Sequence, residues 1–309
     1  MTDENDAVYA ALKNVPGLAG TRPGAHSITR LGGLTNLVYR VEADGENLIV
    51  RIPGKGTQDY IDRAVELHNA RAAARAGVSA EVIWGDAASG VMISRCIEGI
   101  VTMTPELFAT RAGAPARAAR VLRQLHASGE SFQFRFELFA MIEDYLSILS
   151  GRDIDLPQGY ADIVAAAEPV KQALAENPAP LAPCHCDPLC ENFLDDGARM
   201  WAVDWEYSGM NDPLWDLGDL SVEAGFDAGQ DREMLAAYFD GAPGPAETGR
   251  MVVYKALCDL LWTLWGLIQH ADGNPVEDFW AYAVNRFERC KALMQSPDFE
   301  KHLAAVKKA

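Results

Sequence analysis

The chain has 309 residues, of which 49% are apolar and 23% charged, and its formal net charge at pH 7 is −17. A chain of this size and composition can bury a large core and exceeds the usual size of one compact lobe, so we expect two lobes around a cleft. The negative charge disfavours binding to nucleic acids and to anionic membrane surfaces, which require basic patches, and it suits the attraction of cationic ligands.

The first residues of the chain predict a cytoplasmic protein. Residues 1–6 are acidic, whereas a secretory signal peptide is basic and then apolar. A short helix is predicted to follow and to end near Pro16. The six cysteines are too few for a disulfide scaffold in a chain of this length, so we expect reduced thiols.

Strand patterns dominate the next part of the chain. Two runs of β-forming residues flank the dipeptide Asp44-Gly45, which is typical of a hairpin turn. A helix rich in alanine and arginine follows and is predicted to end at Gly77. The N-terminal part is therefore expected to be a small antiparallel sheet that carries one helix. The predicted strands cover 37–41, 48–52, 80–84 and 91–96, and the predicted helix covers 58–76.

Helical periodicity dominates from Thr104 onward, with the exception of 181–194 and 199–203. The lobe boundary is predicted where the strand pattern gives way to glycine, which gives lobes of 1–97 and 98–309. The predicted helices of the second lobe cover 116–128, 137–150, 160–176, 214–224, 232–239, 249–270 and 276–295.

One predicted helix is apolar enough to raise the question of a membrane span. Its most apolar part, 251–268, contains Lys255 and Asp259. Charged residues are costly in the centre of a bilayer. We therefore expect a buried helix at this position and no membrane span.

The segment from His185 to Asn192 has the spacing H-x-D-x-x-x-x-N of a kinase catalytic loop. Asp187 is the predicted catalytic base, because an attacking hydroxyl needs a proton acceptor. Asn192 is a predicted Mg²⁺ ligand, because its amide oxygen adds no negative charge. Asp204 follows at the end of an apolar strand, where a kinase has a second metal-binding carboxylate. Without Asp204, the loop could equally be a turn at Asp187 with Asn192 as a helix cap.

His185 is grouped with the catalytic residues, although we expect it to brace its loop by hydrogen bonds and not to transfer protons. A zinc site formed by His185 with Cys184, Cys186 and Cys190 is the alternative for this segment. Zinc sites usually have two separated pairs of ligands, and no second pair with C-x2-C or H-x3-H spacing is present. Zinc is therefore disfavoured.

The first lobe is predicted to bind the nucleotide. Gly33 lets the backbone approach phosphate closely at the turn of the first hairpin, and Thr35 and Asn36 can donate hydrogen bonds to phosphate oxygens. Arg51 is a cation within an apolar strand and needs a partner, for which Glu66 of the following helix is the candidate. The alternatives are that the glycines mark only a turn and that Glu66 lies on a solvated helix face.

These segments together resemble the choline/ethanolamine kinase family, a branch of the aminoglycoside-phosphotransferase-like kinases, and are similar to its bacterial choline kinases. The resemblance implies an α+β, bilobal, protein-kinase-like fold, with a small antiparallel sheet in the nucleotide-binding N-lobe and a mainly helical C-lobe. It also implies transfer of the γ-phosphoryl group of ATP, with Mg²⁺, to the hydroxyl of choline, with ethanolamine as a second acceptor. The segments that carry the resemblance are 32–36, 50–54, 185–192, 203–208 and 262–269.

The family recognises a quaternary ammonium group with aromatic rings and an acidic residue. By resemblance, these positions are Glu206, Tyr207, Trp262 and Trp265, and Arg51 takes the phosphate-contacting place of the strand lysine. The two tryptophans are three positions apart on a predicted helix and share a face, and indole rings attract cations. The alternative is that both tryptophans belong to the core.

Two further carboxylates lie near the predicted site. One, Glu191, departs from the family pattern, and the other, Asp216, is expected to have a supporting role. Glu191 adds a negative charge beside the predicted metal site, where it could alter the metal preference or face solvent. Asp216, within a segment typical of general phosphotransferases, is expected to hold the catalytic loop, and the alternative is an exposed helix carboxylate.

Two other functions stay open. One is a kinase for another small cationic alcohol, such as thiamine or an aminoglycoside-like acceptor. The other is a catalytically silent regulator that binds nucleotides, although the presence of Asp187, Asn192 and Asp204 argues against it. The sequence indicates no oligomeric state.

Overall fold

The computed structural model describes residues 3–20, 26–31, 36–43, 45–54 and 61–308, and the first part of the chain forms an antiparallel sheet. Its five strands lie in the order β1-β2-β3-β5-β4, and one face of β2 and β3 packs against α1. The elements of this lobe are α1 (Asp3–Leu12), β1 (Ser27–Arg30), β2 (Asn36–Ala43), β3 (Glu46–Pro53), α2 (Arg63–Arg75), β4 (Val82–Gly85) and β5 (Met92–Arg95).

Helix α2 begins later than predicted. Asp62 is its N-cap, and the Asp62 carboxylate accepts hydrogen bonds from the backbone N–H groups of Ala64 and Val65. Aspartate is favoured at this position because it satisfies backbone donors that have no partner within the helix. The predicted start at residue 58 lies outside the described residues, and the helix itself starts at Arg63.

A linker without regular secondary structure, residues 96–100, connects the two lobes. The strand that follows it pairs with strands of the second lobe, in a three-stranded sheet of order β6-β8-β9. The predicted boundary after residue 97 falls within this linker. The strands of the second lobe are β6 (Val101–Thr102), β7 (Ala182–Cys184), β8 (Phe193–Asp195), β9 (Met200–Ala202) and β10 (Gly209–Asn211).

The remainder of the second lobe is helical. The predicted helix over 160–176 is in fact two helices that meet at Ala167, because Pro169 cannot donate the backbone hydrogen bond that a continuous helix needs. The helices are α3 (Pro105–Thr110), α4 (Ala114–His126), α5 (Leu138–Ser150), α6 (Tyr160–Ala166), α7 (Glu168–Glu176), α8 (Leu214–Glu223), α9 (Ala228–Phe239), α10 (Pro245–Ala271), α11 (Phe279–Met294) and α12 (Phe299–Val306).

Helix α10 lies at the centre of this lobe and packs against α5, α8, α11 and α12. By length and composition it could cross a membrane, but 83% of its most apolar 18-residue window is buried inside the protein. This burial agrees with the predicted core helix over 251–268. Because α8 and α11 flank it, α10 fixes the position of both relative to the catalytic loop.

Candidate active site

The predicted catalytic loop connects β7 to β8, and Asp216 of α8 holds it. The Asp216 carboxylate accepts the backbone N–H of His185 at 2.7 Å and that of Cys186 at 2.9 Å. Asp216 is fully buried, so the alternative of an exposed helix carboxylate is wrong. Cys186 has a φ angle of 67°, which is unfavourable for a residue other than glycine. The two hydrogen bonds therefore stabilise a sharp bend immediately before Asp187.

His185 is a bracing residue in this structure. Its ring is fully buried, and its Nε2 lies 2.8 Å from the carbonyl oxygen of Val203. The ring also contacts that of Trp205, with 4.8 Å between centroids. Burial lowers the pKa of His185, which favours a neutral ring that donates from Nε2 to the carbonyl group. This placement fits the bracing role expected for His185 and not its grouping with the catalytic residues.

Asn192 and Asp204 are brought together by a backbone hydrogen bond from Val203 N–H to the carbonyl oxygen of Asn192, at 3.0 Å. The side-chain Nδ2 of Asn192 donates to the carbonyl oxygen of Asp187 at 3.0 Å, which leaves the amide oxygen for another ligand. Asp204 has a φ angle of 68°, and its Oδ1 is buried without a hydrogen-bond partner in the described part of the chain. Carboxylate and amide oxygens suit Mg²⁺, so this pair fits the predicted metal ligands.

Asp187, the predicted base, and Asp204, a predicted metal ligand, both have shifted pKa values. Burial, together with the nearby charge of Glu206, raises the pKa of Asp204 to about 7. Burial also raises the pKa of Asp187 well above its usual value, and the negative charges of Glu223 and Asp204 add to this effect. A raised pKa makes Asp187 a stronger proton acceptor. A divalent cation bound at Asp204 would favour the ionised form of that carboxylate.

The predicted pairing of Arg51 and Glu66 is present. Arg51 of β3 forms an ion pair with Glu66 of α2, and its Nη1 lies 3.7 Å from Asp204 Oδ1. The Nε and Nη2 atoms of Arg51 are buried and have no hydrogen-bond partner among the described residues. These two donors are therefore available to a phosphate group beside Asp204.

Three other residues, Gly33, Thr35 and Asn36, were predicted to contact phosphate, and the structure describes only the last of them. Gly33 and Thr35 lie outside the described residues. Asn36 is 3% exposed, and its Nδ2 donates to Glu206 Oε1 at 3.0 Å. Asn36 therefore supports Glu206, and its contact with phosphate stays a prediction.

Glu206 lines the cavity and forms ion pairs with arginines of the first lobe. Its Oε1 lies 3.4 Å from Arg51 Nη1 and 2.5 Å from Arg63 Nη1. Arg63 also forms an ion pair with Glu66, at 2.7 Å. Glu206 thus joins the second lobe to the first on the side of Arg51, and its assignment to ammonium binding stays a prediction. Arg63 was not predicted as a site residue. Its position three residues before Glu66 on the same helix is the sequence signal that could have identified it.

Four aromatic residues form a continuous cluster, which we call the aromatic cluster: Tyr207, Trp262, Trp265 and Tyr282. The centroid distances between successive rings are 5.3, 6.3 and 5.7 Å, and all three contacts are edge to face. The Nε1 atoms of both tryptophans are buried without a hydrogen-bond partner among the described residues. Trp262 is only 4% exposed, so it contributes to the core as well as to the cluster.

A single cavity of about 920 Å³ lies between the lobes and contacts both halves of the site. We call it the interlobe cavity. The apolar residues Leu31, Val38, Ile49, Val82 and Met92 line its first-lobe side, where a nucleotide base could bind. Its polar and aromatic lining includes Arg51, Glu66, Asp187, Glu191, Asn192, Asp204, Glu206, Glu223, Glu277, Arg286 and the aromatic cluster.

Sequence reasoning missed three residues that line the acceptor half of the interlobe cavity: Glu223, Tyr282 and Arg286. Glu223 is the last residue of α8, and the other two lie one helical turn apart on α11. Their spacing is consistent with a shared helix face, but only the packing of α11 against α10 shows which face meets the cavity.

The cysteines of the catalytic segment are structural. Cys184, Cys186 and Cys190 are buried, and burial raises the pKa of each thiol. Cys184 lies near His126, whose two ring nitrogens lie 2.8 Å from the hydroxyl of Tyr238 and 2.9 Å from Asp216. Among the described residues, His185 does not form a metal-binding group with Cys184, Cys186 and Cys190.

Residues 27–250 match the model of a phosphotransferase enzyme family, which covers well over half of the chain. The chain belongs to this family. The chain is also 61% identical to a choline/ethanolamine kinase family protein from Mesorhizobium loti, and the match covers 99% of each chain with a TM-score of 0.89. It therefore belongs, more narrowly, to the choline/ethanolamine kinase family, as the sequence motifs predicted.

Two more distant relatives agree with this assignment. The crystal structure of choline kinase LicA from Streptococcus pneumoniae is 27% identical, covers 95% of this chain and 99% of its own, and has a TM-score of 0.78. Protein LicA from Haemophilus influenzae is 28% identical over 283 residues, which are 87% of this chain and 81% of that protein. The predicted bilobal kinase-like fold is thereby confirmed.

Proposed function

We propose that the protein transfers the γ-phosphoryl group of ATP to the hydroxyl of choline, giving phosphocholine and ADP, with ethanolamine as a second acceptor. The observation that carries this proposal is that Asp187 lines the same cavity as Arg51 and the aromatic cluster. An arginine with free donors suits the phosphates, and aromatic faces suit a cation. Relatives named for choline or ethanolamine favour these acceptors over thiamine or an aminoglycoside.

Each residue of the site has a distinct part in this reaction. Asp187 accepts the proton of the acceptor hydroxyl as that oxygen attacks the γ-phosphorus atom. Arg51, held by Glu66, donates hydrogen bonds to the phosphates. Asn192 and Asp204 would hold Mg²⁺, which neutralises phosphate charge when bound.

The aromatic cluster would bind the ammonium group and orient the hydroxyl toward Asp187. Holding both reactants in one enclosed cavity lowers the entropic cost of bringing them together. His185 and Asp216 act only through the loop that carries Asp187. A cytoplasmic location is consistent with the use of ATP and stays a prediction.

The proposal is tested by ADP release with choline, ethanolamine, thiamine and an aminoglycoside, each against a control without acceptor. We expect turnover with choline, and a loss of about 10²- to 10⁴-fold in kcat for Asp187→Asn, since the base is removed while the fold is kept. ATP binding by this variant, measured by calorimetry, should persist.

Other outcomes separate the alternatives. If a different alcohol is turned over and choline is not, the acceptor assignment is wrong and the kinase assignment stands. If ATP binds but no acceptor is turned over, the protein is a nucleotide-binding regulator.

A further inference from the structure

A buried arginine lies in the wall of the cavity half that we assign to a cationic acceptor. Arg286 of α11 is 5% exposed and lines the interlobe cavity together with Glu223 and the aromatic cluster. A fixed positive charge repels a cationic substrate unless another group compensates it. The contacts of Arg286 show which group does so.

Arg286 joins three parts of the pocket wall. Its Nη2 forms an ion pair with Glu223 Oε1 at the end of α8, and its Nη1 lies 3.3 Å from Asp259 Oδ1 on α10. Its Cζ lies 4.5 Å from the ring centroid of Tyr282. The planar guanidinium thus fixes both the carboxylate and one ring of the aromatic cluster.

Asp259 has a second arginine of its own. Arg289 Nη2 lies 2.6 Å from Asp259 Oδ1, and Arg289 Nε lies 3.1 Å from Asp259 Oδ2. Because Arg289 contacts both oxygens of Asp259, the charge of Arg286 compensates mainly that of Glu223. Arg286 with Glu223 and Arg289 with Asp259 are therefore two charge-compensated pairs. Asp219 lies within 4.8 Å of Glu223, and its burial raises its pKa, which favours its neutral form.

The remaining carboxylates on this half of the interlobe cavity have other surroundings. Asp187 is the proposed base and faces the hydroxyl end of the acceptor. Glu277 is exposed to solvent, which screens its charge. Among the described residues, the inner part of the pocket therefore offers a cation mainly ring faces.

Ring faces distinguish between two kinds of ammonium group. A quaternary ammonium has no N–H group and is attracted to aromatic faces without needing hydrogen-bond acceptors. A primary ammonium has three N–H donors, and leaving them unpaired in a buried pocket is costly. A neutral aromatic pocket therefore favours the quaternary ion.

We propose that Arg286 determines the acceptor preference of this site, because by neutralising Glu223 it makes the pocket select a quaternary ammonium over a primary one. Arg286 is a positioning residue in this proposal, since it acts through Glu223 and Tyr282. The proposal rests on the proposed function, because it concerns the acceptor half of the same cavity.

The test is the kcat/KM of Arg286→Gln for choline and for ethanolamine. Without Arg286, Glu223 has an uncompensated charge that can accept hydrogen bonds from a primary ammonium. We expect the choline-to-ethanolamine ratio of kcat/KM to fall on the order of tenfold. A merely structural role would lower both kcat/KM values by the same factor.

Two further variants distinguish the effect of the Arg286 charge on acceptor preference from an effect on folding. Lys291→Gln removes a different cation of α11, which pairs with Glu288 and does not line the interlobe cavity, and it should leave the ratio unchanged. The double variant Glu223→Gln/Arg286→Gln removes both charges of the pair, and it should restore the preference for choline even if its absolute activity is lower.

Three results would overturn the proposal: a wild-type preference for ethanolamine, an unchanged ratio in Arg286→Gln, or a double variant whose choline-to-ethanolamine ratio is as low as that of Arg286→Gln. If Arg286→Gln does not fold, the double variant still decides, because a ratio shifted away from choline contradicts the proposal and a retained one supports it. A wild-type protein that phosphorylates neither acceptor contradicts the proposed function instead.

Discussion

Individual residues of the site carry two kinds of strain. Cys186 and Asp204 have positive φ angles, a conformation that costs residues other than glycine on the order of 1 kcal/mol. Each lies at a bend beside a proposed catalytic or metal-binding oxygen. The second kind is the burial of polar atoms that lack hydrogen-bond partners. The Nε1 atoms of Trp262 and Trp265 are buried and have no such partner among the described residues. Both kinds are expected where function competes with stability.

The first prediction concerns Trp265. Trp265→Ala removes a ring from the aromatic cluster, so the KM for choline should rise by about tenfold or more while the KM for ATP changes little. Steady-state kinetics with each substrate varied in turn provides the measurement. Trp280→Ala is the matched control, because Trp280 lies on α11, contacts His270 and does not line the interlobe cavity. Equal increases in both KM values would instead indicate that Trp265 only packs the core.

Most residues on the nucleotide and metal side could be predicted because short-range patterns identify them. Asp187 and Asn192 have a fixed loop spacing, and Asp204 follows a strand. Arg286 and Tyr282 could not be predicted, since their role depends on how α11 lies against α10 and not on their neighbours in sequence. The ion pairs of Glu206 with Arg51 and Arg63 could not be predicted, because position along the chain does not tell which lobe its carboxylate faces.

Among the elements, α10 and α11 determine the acceptor half of the site by packing very closely. The closest approach is at Gly266, where an added Cβ would lie 2.6 Å from Tyr282 Cδ1 and 3.3 Å from Ala283 Cβ. Such distances leave no room for a side chain without movement of α11 or of the Tyr282 ring. Glycine at this position thus lets Tyr282 reach the aromatic cluster.

Gly266→Ala should therefore displace Tyr282. We expect a higher KM for choline, an unchanged KM for ATP, and a loss of about 1–3 kcal/mol in the free energy of unfolding. Kinetics and urea unfolding give the two quantities. Gly241→Ala serves as the control, since nothing lies within 4 Å of its added Cβ. A normal choline KM in Gly266→Ala would mean that the ring position is not limiting.

The long amphipathic helices could be predicted from periodicity, and the errors are in short elements. α3 and β10 are too short for periodicity to distinguish them from loops, and α12 was also missed. The break between α6 and α7 depends on one proline, Pro169. It was not predicted because the apolar pattern continues across this position. The N-cap at Asp62 was a usable signal that the predicted start of α2 ignored.

On the scale of the whole molecule, the lobes are joined by ion pairs as well as by the linker. Asn36, Arg51 and Arg63 of the first lobe all contact Glu206 of the second. These contacts lie beside Asp204. The relative position of the lobes is therefore coupled to the charges at the phosphate side of the interlobe cavity.

Glu206→Gln should weaken this connection. We expect a lower free energy of unfolding, by about 1–3 kcal/mol, because a buried charged partner of two arginines is lost. The KM for ATP should rise, because Arg51 is less well positioned, while the KM for choline should stay within about twofold. A selective rise in the choline KM would show that Glu206 contacts the acceptor after all.

Stability should also depend on pH through Asp219 of α8. Asp219 is fully buried beside Glu223, and burial raises its pKa well above the usual value. Below the pKa of the unfolded chain both states are protonated. As pH rises toward the folded-state pKa, only the unfolded chain loses the proton, so stability falls by at most about 1.4 kcal/mol per pH unit.

Asp219→Asn removes this proton and keeps the shape of the protonated side chain. Its free energy of unfolding relative to the wild type should therefore increase from pH 5 to pH 8, as measured by urea unfolding at several pH values. Asp144→Asn, at an exposed position of α5, should show no such trend. A constant difference at every pH would contradict a raised pKa for Asp219.

The central position of α10 has an evolutionary consequence. Trp262 and Trp265 share this helix with the largest part of the core, so substitutions on its inner face change acceptor binding and stability together. α11 presents Tyr282 and Arg286 to the same cavity and contributes fewer buried residues to the core than α10 does. Divergence of acceptor preference among relatives is therefore expected to proceed first through α11, while the inner face of α10 stays constant.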